Sequence, residues 1–87
     1  MYNMNSKHRK TLEAIYNNPV SGNIKWKRIE SLFIAVGCEI IEGRGSRITV
    51  VYGTDKVAFH RPHPRNEALR YRVQATRDFL TMIGVKP

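Results

Sequence analysis

The apolar residues of this chain change their spacing at Gly37, and this change limits the possible folds more than any other feature. Before Gly37, apolar residues recur at the i, i+3, i+4 and i+7 spacing of a core-facing helix, namely at Ile29, Leu32, Phe33 and Val36. After it come three strand-like runs, 38–42, 46–52 and 56–60, separated by short glycine-containing turns. Because such turns join consecutive antiparallel strands, the pattern predicts a helix followed by a three-stranded meander.

Two further helices are predicted on either side of this segment. The first runs from about Lys7 to Asn17, with Ser6 as its N-cap. The last runs from about Tyr71 to Ile83 and ends at Gly84. The order α–α–β–β–β–α in 87 residues predicts one two-layer α+β domain, with the helices on one face of an antiparallel sheet. The last four elements have the order of the double-stranded-RNA-binding fold.

The charge of the chain indicates an acidic partner. Fifteen Lys and Arg face seven Asp and Glu, which gives a formal net charge of +8 and an isoelectric point near 10.2. Eight basic residues against two acidic ones lie between Arg44 and Arg77, so the positive charge is concentrated in the second half. This balance favours nucleic acid or an acidic protein as partner, and a solvated basic surface is the alternative interpretation.

Other classes of site have no sequence support. The single cysteine, Cys38, lies in an apolar run and is interpreted as a buried, inert thiol. Three His and one Cys have no metal-ligand spacing, and no cofactor motif is present, so neither a metal nor a cofactor is expected. No paired carboxylates stand out, and Glu30 is interpreted as a surface charge of its helix. With no signal peptide or membrane segment, the cytoplasm is the expected compartment.

Two histidines are candidates for proton transfer. Cutting RNA without a metal requires a base, an acid and positive charge around the phosphate. If Val57 and Phe59 point into the core, His60 points to the open face of the sheet, together with Arg47 of the preceding strand. His63, between two prolines, is the second candidate. The alternatives are a structural strand-end histidine at the first position and an exposed turn histidine at the second.

Phosphate binding is predicted for a set of basic and hydroxyl side chains near these histidines. Arg44 and Arg47 bracket Gly45-Ser46, where a glycine allows close backbone approach and the Ser46 hydroxyl can donate to phosphate. Arg61 and Arg65 extend the positive charge beyond the third strand. Arginine is well suited to this role because its planar fork binds phosphate through two hydrogen bonds. A bare β-turn with solvated arginines has the same sequence pattern.

Taken together, these stretches resemble the HicA-type toxins of bacterial type II toxin–antitoxin systems. The resemblance covers nearly the whole chain and rests on the segments Trp26–Gly37, Ile41–Arg47, Ala58–Pro64 and Val73–Gly84. It implies a small basic mRNA interferase, which is an endoribonuclease, with a double-stranded-RNA-binding-like fold. It also implies that residues 1–23 form an N-terminal helical extension and that a cognate HicB-type antitoxin is the protein partner.

One position departs from the family pattern. Many family members have a catalytic histidine directly after the Gly-Ser of the turn, and Arg47 occupies that position here. Arginine cannot serve as a general base because it does not deprotonate at working pH. Three hypotheses follow: a metal-independent ribonuclease toxin that uses His60, a non-catalytic RNA-binding module, or a basic domain that binds an acidic, antitoxin-like protein.

Overall fold

Three helices and a three-stranded antiparallel sheet form the α+β fold of the part of the chain that the computed structural model describes, residues 4–63 and 66–87. A second, minor sheet consists of two strands of two residues each. The elements in chain order are α1 (Ser6–Ile15), β1 (Ile24–Lys25), α2 (Trp26–Ala35), β2 (Glu39–Glu42), β3 (Arg47–Tyr52), β4 (Asp55–His60), β5 (Glu67–Ala68) and α3 (Arg70–Met82).

The main sheet has the order β2-β3-β4, which confirms the predicted meander. Ile48 and Val50 of β3 and Phe59 of β4 are buried on its inner face. Val57 pairs with Val50 on that same face but is only half-buried. Because side chains alternate along a strand, the neighbouring residues of β3 and β4 lie on the opposite, open face, as predicted.

Aromatic contacts join the helices to the inner face of the sheet. The Phe59 ring lies 5.2 Å from the Trp26 ring and 6.0 Å from the Phe33 ring, measured between centroids, and both of those residues belong to α2. Phe33 also meets Phe79 of α3 in an edge-on arrangement at 6.1 Å. Aromatic pairs at these separations stabilise a core beyond their buried area. They fix the position of β4, the strand that carries His60.

The N-terminal helix packs into the same core. Leu12 and Ile15 are buried against the other helices. The Tyr16 hydroxyl is 2.7 Å from the Thr81 hydroxyl and donates to the backbone oxygen of Val85 at 2.8 Å. These contacts attach the end of α1 to the far end of α3.

One local prediction is wrong in detail, and one strand pairing was not predicted. The N-cap of α1 is Asn5 and not Ser6, because the Asn5 side chain accepts a hydrogen bond from the His8 backbone N–H at 2.8 Å. Asparagine caps a helix as well as serine does, so the sequence alone does not choose between adjacent caps. The pairing of β1 with β5 was not predicted, since two-residue strands have no detectable periodicity. Among the described residues, no helix is both long and apolar enough to cross a membrane.

Candidate functional site

The β2–β3 turn and the end of β4 meet at one corner of the main sheet. The backbone N–H of Arg61 donates to the backbone oxygen of Ser46 at 2.9 Å, and Arg47 pairs with His60 in the register of β3 and β4. The two basic stretches of the sequence are thus adjacent in space. We call residues 43–47 together with 59–63 the basic corner.

The backbone of the turn in the basic corner favours glycine at two positions. The Gly43 N–H donates to the Arg47 backbone oxygen at 2.8 Å, and a Cβ at position 43 would lie only 3.0 Å from that oxygen. Gly45 has a φ of +60°, a left-handed conformation that glycine adopts without steric cost. This tight turn leaves the side chains of Arg44 and Ser46 exposed at its tip.

Arg47 and His60 are closest neighbours on the open face. Arg61 and Ser46 form a hydrogen-bonded pair, and because such pairs alternate along an antiparallel ladder, the adjacent Arg47–His60 pair is a non-hydrogen-bonded one. In that kind of pair the Cα atoms are about 4.5 Å apart and the side chains approach each other most closely. Both residues are exposed. The corner therefore presents a guanidinium and an imidazole side by side to solvent.

The N-terminal turn of α3 holds the backbone of His60. The Arg72 Nε donates to the His60 carbonyl oxygen at 2.8 Å. The Arg72 guanidinium also lies over the ring of Tyr71, 4.8 Å from its centroid. His60 is therefore fixed from β3 on one side and from α3 on the other.

Arg61 binds two carboxylates from different elements. Its Nε and one terminal nitrogen donate to Glu30 at 2.7 and 3.1 Å, and both terminal nitrogens donate to Glu42 at 2.7 and 2.8 Å. The hydrogen bonds to Glu30 and Glu42 raise the pKa of Arg61, and the bond to Glu30 has the larger effect. The hydrogen bond from Arg61 in turn lowers the pKa of Glu42. Four N–H donors of this side chain are thus in use, which favours a positioning role over the phosphate contact expected from the sequence.

Glu30 is not the simple surface charge expected from the sequence. Its side chain is 19% exposed, and it accepts hydrogen bonds from the Trp26 indole nitrogen and from Arg61. The i, i+4 spacing of Trp26 and Glu30 is a sequence signal that could have indicated this bond, because residues one helical turn apart can bond. Nothing in the sequence indicated that Arg61, which is 31 residues further along the chain, would be a partner of Glu30.

Of the remaining predicted site residues, His63 lies in the basic corner and Arg65 lies outside the described residues. His63 is exposed in the segment that follows β4. Arg65 therefore stays a prediction from the sequence.

Cys38 is buried, and burial raises the pKa of its thiol to about 11. In residues 4–63 and 66–87, no group of three or more His, Cys, Asp or Glu side chains is placed to hold a metal ion.

One comparison with known proteins gives a match. The family model described as the HicA toxin of bacterial toxin–antitoxin systems matches residues 26–77, which is more than half of the chain. The matched segment begins at α2 and extends into α3, so it contains the whole basic corner. No curated protein and no solved structure matches the chain.

Proposed function

The chain belongs to the family of HicA toxins of bacterial toxin–antitoxin systems, and on that premise we propose that it is a metal-independent endoribonuclease that cleaves mRNA. The observation that carries the proposal is the pairing of His60 with Arg47. Position 47 is where the turn pattern of many relatives has a histidine. The imidazole of His60 projects from the residue directly opposite, so it lies beside the side chain at position 47.

The proposed reaction is an internal transfer at one phosphodiester. His60 takes the proton from the 2′-hydroxyl, the 2′-oxygen attacks the phosphorus, and the bond from phosphorus to the 5′-oxygen breaks. His63, the second proton carrier in this proposal, gives a proton to the departing 5′-oxygen. The products are a 2′,3′-cyclic phosphate and a 5′-hydroxyl. Two histidines can fill these roles because imidazole gains and loses a proton near neutral pH.

The basic side chains of the corner have a separate role. In this proposal Arg47, Arg44 and the Ser46 hydroxyl hold the phosphate oxygens and stabilise the charge that accumulates on them in the transition state. Arg65 is a further phosphate contact that rests on the sequence alone. Arg61 has a positioning role in this proposal and does not contact the phosphate. Its bonds to Glu30 and Glu42 hold the backbone that joins His60 to the following segment.

Membership of the family implies a cognate antitoxin. We propose an antitoxin of the HicB type that covers the basic corner with acidic and apolar groups. A net charge of +8 favours fast capture of an acidic partner, since long-range attraction accelerates association. A small antitoxin-like reading frame next to the gene, whose product restores growth on co-expression, is the expected finding.

A second candidate is a non-catalytic RNA-binding protein. Arg47 at the position of the usual histidine is the observation that favours it, because arginine binds phosphate well but cannot remove a proton. This candidate predicts RNA affinity that falls steeply with salt, together with no cleavage. A basic domain that binds only its protein partner predicts no RNA affinity.

A cleavage assay in EDTA separates these candidates. The wild-type protein is expected to cut RNA, and His60→Ala to cut about 10²- to 10⁴-fold more slowly, the usual effect of losing a general base. His8→Ala is the matched control because His8 lies on α1, outside the basic corner. Equal cleavage by wild type and His60→Ala removes His60 from the mechanism. Salt-sensitive binding without cleavage favours the second candidate.

A further inference from the structure

We propose that the cleft beside His60, between β4 and α3, binds one unpaired nucleobase of a single-stranded RNA. The proposal rests on the ribonuclease function above and specifies the substrate class and the subsite next to the cleaved bond. The cleft has a volume of about 200 Å³ and is lined by Ala58, Phe59, His60, Tyr71, Arg72 and Ala75. It exists because β4 is an edge strand with α3 beside it, and because two of the facing residues are alanines.

One wall of the cleft is a stacking platform. Tyr71 is 63% exposed, more than any other large hydrophobic side chain among the described residues. The Arg72 guanidinium lies over this ring, and its Nε is anchored on the His60 carbonyl oxygen. Aromatic rings and guanidinium planes are the surfaces on which proteins stack the bases of single strands.

The opposite wall offers backbone hydrogen bonds. Ala58 pairs with Thr49, two residues along from the Arg47–His60 pair, so it is also a non-hydrogen-bonded pair. The N–H and C=O groups of Ala58 consequently point away from β3 and toward the cleft. A donor and an acceptor on one residue match the edge of a base, which carries both kinds of group.

The geometry selects single-stranded RNA over a duplex. In an A-form helix the bases are stacked and paired, and the major groove is too deep and narrow for side chains to read. A base can enter a cleft between a strand and a helix only after leaving such a stack. The net charge of +8 and the neighbouring arginines attract the backbone, and the cleft then holds a base beside the phosphodiester that His60 faces.

Binding of a short single-stranded RNA tests the proposal. We would use an oligonucleotide with 2′-O-methyl groups throughout, which cannot be cleaved by attack of the 2′-oxygen, and follow fluorescence anisotropy. Tyr71→Ala is expected to weaken binding about tenfold, the scale of one lost base–aromatic stack. Tyr71→Phe, which keeps the ring, is expected to bind like wild type. Tyr52→Ala is the matched control, since Tyr52 is an exposed aromatic at the other end of β3.

A second ligand separates the base from the backbone. An oligonucleotide with the same phosphates but abasic positions is expected to bind wild type and Tyr71→Ala equally, and so is a duplex of the same sequence. An equal loss on intact and abasic strands overturns the nucleobase site. Binding of the intact strand by Tyr71→Ala with the affinity of the wild type also overturns the nucleobase site. In that case, cleavage of RNA by the wild-type protein still supports the proposed ribonuclease function. Absence of RNA binding by the wild-type protein overturns both.

Discussion

Arg47 and His60 lie directly opposite each other on β3 and β4, with both side chains on the exposed face of the sheet. The arrangement places an imidazole beside position 47, where the family resemblance implies a histidine. It also makes the proposed role of His60 testable by exchange of the two positions.

Moving the histidine across the pair is expected to restore cleavage. His60→Ala should lose most of the activity, and adding Arg47→His to it should recover at least about tenfold, because the new imidazole projects from the adjacent position on the same face of the sheet. The measurement is the cleavage rate of RNA in EDTA. Arg47→Ala combined with His60→Ala is the control and should recover nothing. No recovery by the histidine variant would contradict a shared site for the two positions.

Loss of the Glu30 carboxylate is expected to destabilise the fold. Glu30→Gln weakens two hydrogen bonds from Arg61 and one from Trp26, and bonds to a half-buried charged group contribute about 1–3 kcal/mol. Urea unfolding measures the change in the free energy of unfolding. Glu39→Gln, at an exposed position of β2, serves as the control and should change that free energy by less than about 0.5 kcal/mol. Equal stability of Glu30→Gln and wild type would show that this cluster contributes little.

Acid is expected to remove the contribution of Glu42. Its pKa is lowered in the folded protein by the hydrogen bond from Arg61, so the carboxylate favours the folded state above the ordinary glutamate pKa. That contribution is lost as the pH falls through the lowered folded value. Thermal unfolding between neutral and acidic pH measures this. Glu42→Gln should show a smaller acid loss than wild type, and high salt should reduce the difference because the pair is exposed. Parallel pH curves would contradict the pairing.

The helix that precedes the family match is expected to be part of the stable core. Leu12 of α1 is 2% exposed, and truncating a buried leucine typically costs about 2–5 kcal/mol. Leu12→Ala should therefore lower the free energy of unfolding by that amount in urea titration. Lys10→Ala, an exposed position on the same helix, is the control. A loss no larger than that of the control would mean that α1 is only loosely attached.

The elements and the open face of the sheet were predictable because their signals are local. Apolar spacing located α2, and glycines located the turns on either side of β3. Strand alternation placed His60 and Arg47 on one face before any register was known. The environment of Arg61 was not predictable, because its two carboxylates come from positions 30 and 42, which are brought to it only by the packing of α2 and the pairing of β2.

By itself, the sequence determined the α+β class and the basic character of the second half, since these follow from composition and from short-range patterns. Its motifs also carried the family resemblance, which the family model confirms. Only the tertiary structure decided which polar groups meet. It brought Arg47 opposite His60, engaged Arg61 with Glu30 and Glu42, and left a cleft beside Tyr71. The physical reason is that strand register, ion pairing and cleft shape depend on the approach of groups far apart along the chain, and no local pattern encodes that approach.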